Sequence, residues 1–218
     1  MFLRKFFISI MLLASVAAMS LAQGTTSLAL SETMGKFLDA CLTANQGMAR
    51  KDADMTQKAI DALTSLNMAS LSESRLAPVD GSDMLPLDGH LVYDAHYLDS
   101  LIVCQFETGV VKVHPAMLLR GDDMPDICYA NKVLRPHGKV TFQCKGSGTK
   151  ELVVVAEGNA EVSMMVDDEK NDIHIAGAKS HGVGTAYARW KMPRFSTFLV
   201  TVENKTDAAV SFVLAINQ

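Results

Sequence analysis

Apolar positions change their period once along this chain. From Ser31 to about Ala49 they recur near every 3.6 residues, at Met34, Phe37, Leu38, Cys41 and Met48, the mark of an amphipathic helix. Ser31 is placed to cap the start, with Glu32 in the first turn. Gly47 weakens the far end, and Arg50 and Lys51 suit a C-terminus. A second stripe, Met55, Ala59, Ala62, Leu63 and Leu66, predicts a helix from Asp52 to about Asn67, started by Asp52 or Asp54. Two such helices with a short join predict an antiparallel helical hairpin within residues 23–69. Their methionines could form an adaptable groove, but core is the commoner use of such a stripe.

Residues 70–89 carry Pro78, Gly81, Pro86 and Gly89 and read as a linker. Beyond it, His90–Asp94 suits a strand. Ala95–Val103 has no clear period and suits a short helix or a continued strand. Gly109–His114 suits a strand stopped by Pro115, and Arg120–Pro136 reads as irregular. From Lys139 the period becomes two. Val140, Phe142 and Cys144 share a face; Gly146–Gly148 suits a turn; Glu151–Glu157 suits a central strand. Val162, Met164 and Val166 alternate, then Ile173 and Ile175 after a polar loop at Asp167–Asp172. Ala186–Met192 alternates up to Pro193. Phe198, Val200 and Val202 precede a turn at Glu203–Asp207, and Phe212, Leu214 and Ile216 close the chain. Short strands with turn signals between them predict an antiparallel β-sandwich over residues 90–218, and an α+β class overall.

The first residues do not belong to that core. Arg4 and Lys5 precede an uncharged apolar run, Phe6–Ala18, and Ser20-Leu21-Ala22 offers small residues at a cleavage site. Residues 1–22 therefore read as a secretory signal peptide, since the run is short of the roughly 20 residues a spanning helix needs. No later stretch reaches membrane-spanning length. Cleavage would start the mature chain at Gln23 and remove two cations, taking the net charge from −4 to −6. A mildly acidic chain with well-mixed charges speaks against nucleic acid as a partner, which requires clustered Lys and Arg.

Export makes disulfides possible among Cys41, Cys104, Cys128 and Cys144. Cys128–Cys144 is the first expectation, because a short loop could join them. Cys41 and Cys144 also fit apolar faces, where a buried thiol serves equally well. No C-x-x-C occurs, so neither a zinc knuckle nor a redox pair is indicated.

In the C-terminal third, VTFQC, ELVVVAEGNAEVSMMVDD, WKMPRFSTFLVTVENKT and AVSFVLAIN follow one another. This order resembles the bacterial pre-peptidase C-terminal type of β-sandwich, a jelly-roll-like module of secreted proteins. Phe198–Val202, Asn204–Asp207 and Phe212–Ile216 match its aromatic-x-V-x-V strand, polar turn and last apolar strand. The Gly-Tyr step common in that family is replaced by Arg194-Phe195-Ser196-Thr197. The resemblance implies a fold and an extracytoplasmic setting, and no activity.

Candidate chemistry is sparse. Asp167, Asp168, Glu169, Asn171 and Asp172 form the densest oxygen cluster, a possible calcium loop, although it fails the EF-hand pattern with Asp172 at position six and Ala178 at position twelve. Asp122, Asp123 and Asp126 form a second acidic loop. The histidines, His90, His96, His114, His137, His174 and His181, lack zinc spacing. No G-x-S-x-G elbow occurs, and the S-x-x-K at Ser147–Lys150 falls on a Gly-flanked turn instead of a helix start. Trp190 falls in phase with Ala186, Ala188 and Met192, the core face. Tyr187, Arg189 and Lys191 fall on the other and form the better ligand-facing set. The pattern thus predicts an exported, non-catalytic binding module whose partner is an extracytoplasmic protein or glycan. A small hydrolase assembled only in the fold and a structural subunit pairing through strand edges are the alternatives.

Overall fold

The computed structural model describes residues 29–70, 78–106, 124–179, 182 and 184–218. Residues 1–22, the expected strand Gly109–His114, Asp122, Asp123 and His181 lie outside them, as does the side chain of Cys104.

Helices α1 (Glu32–Arg50) and α2 (Ala53–Thr64) form the expected hairpin. The Ser31 hydroxyl accepts the Met34 N–H, and the Asp52 carboxylate accepts the Met55 N–H at 2.9 Å, so both starts are capped as their residue types suggest. Lys51, left-handed at φ 54°, makes the turn between them. Gly47 has a reason that helix propensity does not supply. A Cβ there would lie 2.5 Å from Thr56 Oγ1 and 2.9 Å from the Thr56 backbone nitrogen, so α2 starts where only glycine leaves room.

The remaining elements are β1 (Met68–Ser70), β2 (Pro78–Asp80), β3 (Met84–Leu85), α3 (Ala95–Phe106), β4 (Ile127–Leu134), β5 (Lys139–Ala156), β6 (Val162–Asp168), β7 (Ile173–Ala176), β8 (Thr185–Asn204) and β9 (Val210–Asn217). The strands run β1-β4-β9-β5-β8-β6-β7, with β2 also on β5 and β3 on β4. Every pair is antiparallel except β1–β4. The protein is α+β, with one parallel pair at the sheet margin.

Strands β5 and β8 span 18 and 20 residues and serve two layers each. Gly146–Gly148 is not a turn, nor does Pro193 end a strand. Both strands continue, and their register shifts where Gly146 faces Ser196 and Gly148 faces Met192. Gly148, at φ +77°, supplies the left-handed residue of this bulge. Pro193 falls in the unpaired interval, where its missing N–H costs no ladder bond. On one side of the bend β5 is flanked by β9, on the other by β2, and β8 is flanked by β6. The ribbon thereby folds over itself into a sandwich. Phe142, Leu152, Val154, Val200, Phe212 and Leu214 lie between the layers. Trp190 is buried there too, its ring edge-on to Phe198 at 5.3 Å.

The outer face of one layer, Val153, Val155, Val213 and Ala215, is buried against Met34, Phe37, Leu38, Ile60 and Leu63 of the hairpin. Each of the Val, Leu, Ile, Phe and Met side chains among them contributes roughly 1.5–3 kcal/mol on burial, and the hairpin is a third layer packed on the sandwich. The outer face of the other layer has no helix on it among the described residues.

Three local expectations differ from the structure. The 70–89 stretch contains β2 and β3 and so joins the sheet. His90–Asp94 has no strand pairing, while Ala95–Phe106 is a helix. Strand β4 lies within the stretch read as irregular. It has buried residues on both faces, so no strict alternation betrays it.

Candidate functional site

Tyr187 and Arg189 do point away from the sandwich core, as alternation predicts, but α1 and the segment before it lie on that face. Tyr187 is half-buried against the hairpin cluster. Arg189 Nε lies 3.0 Å from Glu151 Oε1, and its guanidinium also donates to the Ala29 carbonyl. Glu151, only 2% exposed, accepts the Ser31 N–H at 2.9 Å and the Ser31 hydroxyl. Arg189 and Glu151 therefore fasten the start of α1 to the sheet, and of the expected ligand-facing set Lys191 alone is exposed. The covering hairpin, invisible to strand alternation, is what sets Tyr187 and Arg189 against α1.

The acidic residues do not converge. Asp168 is fully buried, and its carboxylate accepts the Ser196 hydroxyl at 2.7 Å, the Asn171 amide at 2.6 Å and the Asn171 backbone N–H at 3.3 Å. Burial alone would raise its pKa, but these hydrogen bonds and that of the Lys170 N–H outweigh it and hold the carboxyl below its ordinary value. Asp167 instead bonds His174 at 2.8 Å, and that bond raises the imidazole pKa. Asp172, at φ 54°, closes the turn. Among the described residues no group of three or more His, Cys, Asp or Glu is arranged to hold a metal ion. Of the expected calcium set Asp167, Asp168, Glu169 and Asp172, Asp168 is engaged by Ser196 and Asn171 and Asp167 by His174.

Cys128 and Cys144 form no disulfide either. Strand β9 runs between them. Cys128 faces Ile216, Ile216 faces Leu152, and Cys144 lies farther along β5, opposite Phe198 beyond the bend. Burial pushes the Cys144 thiol up to about 12, so it is an inert core residue at neutral pH.

The uncovered layer carries a groove of about 550 Å³, lined by Gln143, Lys145, Asp167, Phe195, Thr197 and Leu199 among others. Its floor follows from strand period. Gln143 and Lys145 of β5 face Leu199 and Thr197 of β8, and Asp167 of β6 faces Leu199 from the other side. All project opposite to the core residues Phe142, Cys144 and Phe198. Phe195 lies in the interval where the register shifts, and it is 63% exposed. The turn after β6 holds it there: Lys170 Nζ donates to the Phe195 carbonyl at 3.0 Å, next to the Asp168–Ser196 bond. The acidic loop thus serves the groove as a clamp on Phe195, a role that its composition did not announce.

A second cleft, of about 300 Å³, opens between the last turns of α1, α3, the loop at Gly89–Leu91 and the turn after β5. Glu157 Oε2 accepts the Ser211 hydroxyl at 2.9 Å and lies 3.6 Å from His90 Nδ1. The Tyr97 hydroxyl donates to the His90 carbonyl at 2.8 Å. Ser, His and Glu meet here in the wrong order for acyl transfer. The serine bonds the carboxylate and not the imidazole, so the Ser–His pair of a triad is not formed. Sequence reasoning missed this cleft. The available signal was Asn45, a polar residue in phase with Cys41 and Met48. It is buried, donating to the Ala156 carbonyl and accepting the Tyr93 hydroxyl.

No family model and no curated protein matches this chain. Among solved structures it is similar to Salmonella Typhimurium PliG, a periplasmic inhibitor of g-type lysozyme, with 10% identity and a TM-score of 0.33 over 44% of this chain and 90% of that one. PliG of Aeromonas hydrophila gives 12% identity and 0.32 over 42% and 85%. A family 29 carbohydrate-binding module gives 11% and 0.27 over 40% and 66%. Likenesses of this size name neither a family nor a ligand.

Proposed function

We propose that this chain is an exported, non-catalytic binding module that holds a glycan chain on the uncovered layer of its sandwich. One observation carries the reading: the helices bury one outer face, while the other presents a groove with a 63% exposed Phe195 ring beside Gln143, Lys145, Asp167 and Thr197. A ring face takes the apolar side of a sugar, and an amide, an ammonium, a carboxylate and a hydroxyl around it supply both donors and acceptors for sugar hydroxyls. Polar side chains outnumber apolar ones along the groove, which favours a glycan over the apolar centre of a protein interface. The extracytoplasmic setting rests on the Met1–Ala22 pattern, and a secreted accessory role suits the pre-peptidase C-terminal resemblance.

The test is a glycan array with the mature chain, beside Phe195→Ala and Gln143→Ala. Binding by the wild type that both variants lose supports the reading. Glycan binding that survives both, or capture of a protein and no glycan through the same residues, overturns it.

A further inference from the structure

We propose that the cleft between α1, α3 and the turn after β5 is a second, independent ligand site, and that its ligand is a small organic ammonium ion, a primary amine on a short apolar body. The charge of the cleft comes first. Among the described lining residues Glu157 carries the one permanent charge, with neither Lys nor Arg beside it. Its Oε2 is engaged by Ser211, whereas Oε1 takes no hydrogen bond from any described residue. The balance of donors and acceptors points the same way. Each end of the Asn45 amide makes a hydrogen bond within the fold, and the Tyr97 proton is committed to the His90 carbonyl. The acceptors facing the cleft are Glu157 Oε1 and the lone pairs of the Tyr97 oxygen, and the His90 ring is the side-chain donor beside them. An anion would meet repulsion and few donors. A neutral alcohol would leave the charge unmatched.

The walls set the rest of the ligand. Met48, Ala49, Leu91 and Leu101 are apolar and suit a short alkyl or aryl body, and about 300 Å³ is the lower end of ligand-site size. The carboxylate also acts on its surroundings: it contributes, after burial, to raising the Tyr97 and Tyr93 hydroxyl pKa values, so its field reaches into the cleft. Because Glu157 is partly exposed, the pairing is screened and the affinity modest.

The test is titration of the mature chain at pH 8 with n-butylamine, benzylamine, butanol and butyrate, followed by amide chemical shifts. At that pH both amines are protonated, as an alkylammonium is. The amines should shift residues around Glu157, Tyr97 and Leu91, and butanol and butyrate should not. Glu157→Gln keeps an acceptor for Ser211 and should weaken amine binding about fivefold, the size of a partly screened ion pair. Met48→Lys, which places a rival ammonium at the cleft wall, should weaken it too, with the spectrum elsewhere unchanged. Butyrate binding as well as butylamine, or an unweakened Glu157→Gln, overturns the proposal. Neither variant touches Phe195 or Gln143, so failure here leaves the glycan reading standing, and the converse holds.

Discussion

Glu151 and Arg189 face each other directly across β5 and β8, and their side chains meet at 3.0 Å beneath the start of α1. The carboxylate is enclosed while the guanidinium is about one-third exposed. Removing the arginine therefore strands the more costly partner. Arg189→Met should lower unfolding free energy by about 2–3 kcal/mol. The double variant Glu151→Met/Arg189→Met should recover at least about half of that, because matched apolar groups can replace a buried pair. Urea unfolding of the two variants and the wild type decides it. A double variant less stable than the single one would refute the account.

Gly47→Ala sets two effects against each other. Alanine is the better helix former by about 1 kcal/mol. Its Cβ, however, would sit 2.9 Å from the Thr56 backbone nitrogen, and backbone yields less readily than a side-chain tip. The clash should win, with a net loss of about 1–3 kcal/mol as for other overpacked sites. Gly35→Ala, in the same helix with nothing within 4 Å of the added atom, should instead stabilise by about 0.5–1 kcal/mol. Thermal melts of the pair provide the comparison.

Lys150 is 9% exposed and makes no hydrogen bond or ion pair with any described residue, and its Cε rests 2.6 Å from where a Gly146 Cβ would lie. Burial lowers its pKa. A depressed ammonium value means that the charged form is disfavoured in the fold. The penalty is present at neutral pH and fades as pH rises toward the unfolded value of about 10.4. Lys150→Met should thus stabilise by up to about 1 kcal/mol near pH 7, a figure kept small because water still reaches the chain end. The gain should shrink as pH rises from 8 to 10.5, as read from paired denaturation curves.

Asp168 has the opposite sign. Its carboxyl is held low in the fold, so its contribution is complete above the unfolded value of about 3.9 and is lost as pH falls through the folded value. Asp168→Ala leaves the Ser196 hydroxyl and the Asn171 amide without their acceptor and should cost about 2 kcal/mol at pH 7. The difference from wild type should fade on acidification below about pH 4. The variant should also loosen Phe195, visible as lost amide protection at residues 194–197.

Where local physics decides, the sequence was legible. The stripe from Met34 to Met48, the caps Ser31 and Asp52, and the alternation of Val162, Met164 and Val166 each report one element facing one core, and each is found as read. Strand β4 was not legible because Cys128 and Ala130 serve the sandwich while Ile127 serves the hairpin. Nor was the bend: Gly146–Gly148 and Pro193 carry turn chemistry that two paired strands absorb as a bulge. Site residues suffered most. Arg189 reads as outward and free until α1 is laid over it. Asp168 reads as a ligand until Ser196, 28 residues away, takes its oxygen. Glu157 and His90 meet only through tertiary packing.

The shared strands have a mechanical consequence. Because β5 and β8 each run unbroken through both layers, the sandwich has no seam along which its sheets could slide or part. A register slip in one layer would be carried along the same chain into the other and would invert both sets of inward side chains at once. Such a body should melt as a unit, in one unfolding transition. A guest in the proposed groove would meet a paired sheet surface, with the adjustment on binding left to side chains and to the guest.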